Sequence, residues 1–261
     1  GTDAARHFFL FPFSFFLTPP LIRPAATFSH PRKGEGVRCG VLIAFHQLGF
    51  RIGMSTHASR LVVFLKAPSP GSVKTRLAET LGADAACAAY RQLVEALLAN
   101  LAPLQAVELC FAPADASAEI NPWLRTDWSA CPQSEGDLGE RLHAAFTEHF
   151  LSDAEHVVII GSDCPAVPPT DISDAWLALD GHDVVLGPAL DGGYWLIGLR
   201  APQPNLFTGM PWSTDAVFGE TTRRARESGL RIATLRELSD VDTVADWERW
   251  VKRAVREINP T

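Results

Sequence analysis

The chain's chemistry starts at an aspartate that closes a run of four β-branched apolar residues. In Val157-Val158-Ile159-Ile160-Gly161-Ser162-Asp163-Cys164-Pro165 the run reads as a strand buried on both faces. The small-residue turn after it puts the Asp163 carboxylate at the C-terminal edge of a sheet, where open α/β sheets bind ligands. One acid there, followed by proline, is placed to hold Mg²⁺ or Mn²⁺ on a phosphate-bearing substrate. The alternative is that Asp163 caps a helix starting near Thr170. Farther on, Leu238-Ser239-Asp240-Val241-Asp242-Thr243 sets two acids two residues apart, facing the same way in an extended segment. Asp163, Asp240 and Asp242 together would make an all-oxygen metal site. Otherwise Asp242 or Thr243 caps the last helix.

Cations to match these acids follow the first apolar strand. In the segment from Lys66 to Leu77, Pro68, Pro70 and Gly71 fix a loop carrying Lys66, Lys74 and Arg76. It leads into a helix, whose N-terminus adds free N–H groups and a positive dipole end. Phosphates want this combination, although the Walker A spacing is absent. The bland alternative is a solvated basic turn. A second polar loop holds Glu135, Gly136, Asp137, Leu138 and Gly139. It suits a flat base or a ribose, while Asp137 with Glu140 also spells a capping box. A third segment, Asp191-Gly192-Gly193-Tyr194, is a tight-turn signal near the same edge, where glycines let a ligand approach the backbone. Asp191 is the best candidate base, and a plain hairpin is the alternative. Last, Trp212 can stack on a ring, and Ser213 or Thr214 can cap a helix. Gly192, Gly193, Tyr194, Trp212, Ser213 and Thr214 are thus the substrate-side candidates.

Apolar runs and helical segments alternate so as to position these residues. Strands are expected at Leu61–Leu65, Val107–Phe111, Ser129–Cys131, Val157–Ile160, Asp183–Leu186, Tyr194–Leu199 and Arg231–Leu235. Helices are expected at Asp84–Leu101, Leu138–Phe150, Asp171–Leu179, Asp215–Ser228 and Thr243–Val255. This pattern predicts a three-layer α/β/α fold on a mostly parallel mixed sheet, with a local antiparallel pair around the Gly-rich turn. No G-x-G-x-x-G follows the first strand, which argues against a dinucleotide site.

The 261 residues suffice for one sizeable core, and the net charge of −7 argues against a general nucleic-acid binder. Five widely spaced cysteines without a C-x-x-C pair argue against disulfides or zinc and for a reducing cytoplasm. Cys164 reads as a small buried filler. Residues 1–53 differ from the rest: an aromatic apolar run, too short to span a membrane, precedes a Pro-rich stretch. They read as a disordered leader or start-site artefact ahead of Met54, with a signal peptide as the alternative. Residues 54–261 then form one catalytic domain. The oligomeric state is left open.

Taken in order, Lys74-Thr75-Arg76-Leu77, Gly136-Asp137-Leu138-Gly139, Gly161-Ser162-Asp163-Cys164-Pro165, Asp191-Gly192-Gly193-Tyr194 and Asp240-Val241-Asp242-Thr243 resemble the nucleotide-diphospho-sugar transferases. The resemblance to this glycosyltransferase-A superfamily runs from about Leu61 to Trp250. Within it the chain looks closest to a bacterial glycosyltransferase family linked by name to arsenosugar biosynthesis. Its Lys-Thr-Arg-Leu loop is also similar to that of 2-phospholactate guanylyltransferase. The resemblance implies a Rossmann-like glycosyltransferase-A fold and a nucleotide-activated small-molecule substrate. It also implies Lys66, Lys74 and Arg76 on donor phosphates, Asp163 as the metal acid, and Asp240 and Asp242 beside it. Two departures stand out: a single acid in Ser162-Asp163-Cys164, and no long acceptor-binding insertion. The implied function is metal-dependent glycosyl transfer from a nucleotide-diphospho-sugar. The alternative is nucleotidyl transfer from an NTP to a phosphorylated small molecule, with release of pyrophosphate. A non-catalytic nucleotide-binding scaffold is the third.

Overall fold

The computed structural model describes residues 58–258. The reading of residues 1–53, and of Met54 as the start of the functional unit, lies outside the described residues.

Strands β1 (Ser59–Lys66), β2 (Val107–Ala112), β3 (Ser129–Pro132), β4 (His156–Gly161), β5 (Val184–Pro188), β6 (Tyr194–Leu199) and β7 (Ile232–Thr234) form one sheet. Their spatial order is β3-β2-β1-β4-β6-β5-β7. All pairings are parallel except those of β6, which runs antiparallel to both β4 and β5. This reversal matters for the site. Because β6 runs backwards, it begins at the edge where β1, β4 and β5 end, so the β5–β6 turn joins their loops there.

The helices are α1 (Thr75–Leu81), α2 (Ala83–Asn100), α3 (Ser117–Ile120), α4 (Leu138–Leu151), α5 (Pro169–Leu179), α6 (Val217–Glu227) and α7 (Val244–Ile258). Alternation along β4 shows how they cover the sheet. Val158 and Ile160 pack with Tyr90, Val94 and Leu97 of α2 and Ile172 and Leu179 of α5. Val157 and Ile159 pack with Leu142 and Phe146 of α4 and Ala225 of α6. The expected three layers follow. All four of these β4 residues are at most 2% exposed, and each such side chain contributes about 1.5–3 kcal/mol by burial.

Three details differ from the sequence reading. The cationic loop enters the seven-residue α1 rather than the long α2, because Gly82 at φ 84°, ψ 159° separates the two helices. Helix α6 starts at Val217 rather than Asp215. Ahead of it the chain is a turn, in which the Thr214 hydroxyl donates to Pro211 O at 2.7 Å and accepts from Ala216 N at 3.3 Å. Helix α3 and the 3₁₀ turn Asn121–Trp123 were not expected, being too short to show periodicity. Among the described residues no helix is long and apolar enough to cross a membrane.

Candidate active site

The loop after β1 returns the chain to Lys74, which takes φ 48°, ψ 50° at the N-cap of α1. A non-glycine residue rarely adopts this left-handed conformation, and such strain persists where the surroundings over-determine it. Here the side chain has a defined destination. The Lys74 ammonium, with its side chain only 2% exposed, donates to Asp163 Oδ1 and, at 3.2 Å, to Asp242 Oδ1. Arg76 Nη1 lies 3.5 Å from Asp242 Oδ2. Burial works against the Lys74 charge, but the two carboxylates outweigh it and hold its pKa above the ordinary lysine value.

Backbone bonds bring these distant acids together. Asp163 O accepts from Val241 N at 3.0 Å, which pins Asp240-Val241-Asp242 beside the end of β4. Leu238 N donates to Pro188 O at 3.0 Å, holding the same segment along β5. Helix α7 is capped by Thr243: its hydroxyl accepts from Asp246 N at 3.3 Å, and Asp246 Oδ2 accepts from Thr243 N at 2.8 Å. That leaves the Asp242 carboxylate to Lys74 and Arg76. Asp163 caps no helix, since α5 has Pro168 at its N-cap and no side-chain cap bond.

Tyr90, on the apolar face of α2, joins two site loops. Its buried hydroxyl accepts from Lys66 N at 2.9 Å and lies 3.1 Å from Lys66 O and 3.2 Å from Ser162 Oγ. One phenol thus fixes the exits of β1 and β4, immediately before the cationic loop and Asp163. Burial first, with smaller opposing effects from these partners, raises its pKa, so the hydroxyl stays protonated.

The opposite wall comes from the β5–β6 turn and the loop before α6. Asp191 Oδ1 accepts from Gly193 N at 2.9 Å. Gly192 has φ +86°, and a Cβ there would lie 2.3 Å from Asp215 O, so only glycine lets the two loops touch. Tyr194 and Trp212 pack edge to face at 6.5 Å. The Trp212 indole N–H is buried without a hydrogen-bond partner.

These elements enclose a cleft of about 910 Å³. Of the residues expected at the site, Lys66, Lys74, Arg76, Leu138, Asp163, Asp191, Gly193, Tyr194, Trp212, Ser213, Thr214, Asp240 and Asp242 line it. Gly192 lies just behind this lining, as the contact for Asp215. Gly71, Glu135, Gly136, Asp137 and Gly139 stand outside the lining. Asp137 is occupied in a complete capping box with Glu140. Gly136 O accepts from Arg141 Nε at 2.9 Å. Gly139 is a packing residue, since a Cβ there would lie 2.6 Å from Phe207 O and 2.9 Å from Trp212 Nε1. Residues that sequence reasoning did not single out also line the cleft: Ser72, Tyr90, Gln133, Arg141 and Asp215. Gln133 and Arg141 flank the Glu135–Gly139 loop on either side, so the signal was one of position rather than residue type.

The expected Asp163–Asp240–Asp242 metal triad is not formed. Among the described residues no three His, Cys, Asp or Glu side chains are arranged to hold a metal ion. The Lys74 ammonium joins Asp163 and Asp242 instead. Asp240 faces the same cleft; burial, then Asp191, Asp242 and Asp163, push its pKa up. Burial, then Asp240 and Asp163, also push the Cys164 thiol up, which keeps it protonated and unsuited to nucleophilic attack.

A parallel-rich α/β sheet with a lysine–arginine loop facing aspartates across its C-terminal edge defines a nucleotide-linked transferase. The comparisons agree. Residues 96–214 match the family described as "Uncharacterized protein conserved in bacteria (DUF2064)". A crystal structure from Desulfovibrio desulfuricans G20, provisionally described as a nucleotide-diphospho-sugar transferase, is 35% identical, with a TM-score of 0.71 over 78% of this chain and 90% of that one. The chain belongs to the nucleotide-diphospho-sugar transferase family. Two further structures share the fold. The inositol-1-phosphate CTP transferase of T. maritima is 14% identical, with a TM-score of 0.50 over 78% of this chain and 97% of its own. CMP:2-keto-3-deoxy-manno-octonic acid synthetase complexed with CTP is 13% identical, with a TM-score of 0.50 over 76% and 99%. No curated protein matches the chain.

Proposed function

We propose that the protein transfers a sugar from a nucleotide-diphospho-sugar to a small molecule in the cytoplasm. The observation that carries this reading is the Lys74 ammonium, buried in the cleft between Asp163 and Asp242 with Arg76 beside them. Lys66, Lys74 and Arg76 would bind the donor diphosphate and offset the charge that builds on it as it leaves. Tyr90 would hold the two loops in register. Asp191, tethered by Gly193 N, would take the proton of the attacking hydroxyl at its other carboxylate oxygen.

Asp163, Asp240 and Asp242 carry the hard anionic oxygens that Mg²⁺ or Mn²⁺ takes, but they are not grouped to hold one while Lys74 bonds Asp163 and Asp242 and Arg76 lies beside the other Asp242 oxygen, so a cation would require Lys74 to release them. These acids would hold the cation, which when bound adds Lewis-acid stabilisation of the leaving diphosphate.

Nucleotidyl transfer is the second reading. The single acid in Ser162-Asp163-Cys164 and a cationic loop suited to a triphosphate favour it. Incubation with panels of NDP-sugars and NTPs, with Mn²⁺, separates the two. Release of NDP is expected, whereas pyrophosphate without NDP would reverse the assignment. Asp163→Asn is expected to lower turnover by about 10²–10³ while the fold survives; parent-like turnover in that variant would remove Asp163 from the mechanism.

A further inference from the structure

Lys74 stands among the acids where the sequence led us to expect a metal ion. Its backbone is left-handed, its side chain is only 2% exposed, and its ammonium bonds carboxylates that lie 89 and 168 residues farther along the chain. Arg76 Nη1 adds a second positive group 3.5 Å from Asp242 Oδ2. The acids are in electrostatic reach of one another. Burial, and then the like charges of Asp191, Asp242 and Asp163, disfavour the Asp240 carboxylate. Carboxylates gathered in this way call for a cation, and the chain supplies one of its own.

We infer that Lys74 is an internal competitor of the divalent cation: the free chain holds Mn²⁺ weakly at these acids, and more tightly once the Lys74 charge is removed. This rests on the reading of Asp163, Asp240 and Asp242 as the metal acids, and it holds for glycosyl and nucleotidyl transfer alike. Two costs stand behind it. With Lys74 in place, a divalent ion at Asp163 and Asp242 meets an ammonium already bonded to both, and like charges so close repel strongly. With Lys74 displaced, its buried ammonium loses both partners, and a buried charge without a partner is costly. An uncharged side chain of similar length incurs neither cost. Its presence also leaves the repulsion among the carboxylates uncompensated, so a divalent ion gains by relieving it. Access does not set the affinity, since the Asp163 and Asp242 side chains are 54% and 37% exposed.

The test measures Mn²⁺ binding to the full chain, without nucleotide, by the loss of the free-ion electron paramagnetic resonance signal. Lys74→Met and Lys74→Gln are compared with the parent after circular dichroism has confirmed their fold, and two neutral variants guard against one that fails to fold. A neutral variant is expected to bind Mn²⁺ at least about tenfold more tightly than the parent. Adding Asp242→Asn to it should reverse most of the gain, whereas Lys74→Arg, which keeps the charge, should bind no more tightly than the parent. A gain that Asp242→Asn leaves intact would overturn the inference. Tight binding by the parent that Asp163→Asn abolishes, unchanged in the neutral variants, would overturn it and leave the metal reading standing. Equally weak binding by the parent and the neutral variants would overturn the metal reading and this inference with it.

Discussion

At Lys74 one ammonium answers two carboxylates, one from the middle of the chain and one from near its end. Replacing it by methionine leaves Asp163 and Asp242 without their shared cation. Both acids are partly exposed, at 54% and 37%, so water screens much of the penalty. Lys74→Met is expected to cost about 1–2 kcal/mol in urea unfolding and to weaken nucleotide binding more than about tenfold. The pH dependence has a fixed sign. The folded-state pKa of Lys74 lies above the ordinary value of 10.5, so its contribution is complete below that value and is lost as pH rises through the folded-state pKa. The stability gap between parent and variant should therefore stay constant from about pH 6 to about pH 9 and narrow only in stronger base. A gap that closes near neutrality would refute the ion-pair account. Lys74, Asp163 and Asp242 were legible because each is a charged residue in a loop that follows a strand. Tyr90 was not. It shares helical spacing with Leu93, Val94 and Leu97, so it reads as core, and its hydroxyl acquires partners only once β1 and β4 lie side by side.

Among the elements, the backward strand β6 does the most to assemble the site. Its start at Tyr194 carries the Asp191–Gly193 turn to the edge where β1 and β4 end, and the Gly-rich sequence announced this pairing. The contact made next was not legible, because it depends on how closely two loops approach. Gly192→Ala would force a left-handed alanine and a Cβ 2.3 Å from Asp215 O. Gly139→Ala would press 2.6 Å on Phe207 O and 2.9 Å on Trp212 Nε1. Each is expected to lose about 1–3 kcal/mol in urea unfolding. Gly192→Ala should also raise KM for the acceptor more than for the donor, since it disturbs the turn that would set Asp191 at the acceptor and leaves the cationic loop alone. Equal changes in both KM values would dissociate the turn from the acceptor. The break between α1 and α2 escaped the sequence reading for a related reason: Leu81-Gly82-Ala83 interrupts an otherwise helical run with one residue, and only its φ of 84° shows that the chain turns there.

Across the whole molecule, alternating strands and helices foretold the layers, while the strand order, which decides the loops that meet, came from the structure. Among the described residues, both core layers are built from Leu61 onward, and the cleft is lined from Phe64 to Asp242. The described residues therefore hold a sheet-and-helix core and the candidate groups named above. A chain beginning at Met54 is expected to have the same unfolding free energy in urea titration, within about 0.5 kcal/mol, as the 261-residue chain. Its NDP release should match as well, because the cations that would meet the donor and the acid that would meet the acceptor all lie after residue 58. A drop in stability with turnover retained would assign the first 53 residues a packing role. A drop in turnover with stability retained would place part of the site among them, and the cleft described above would then be incomplete without that segment.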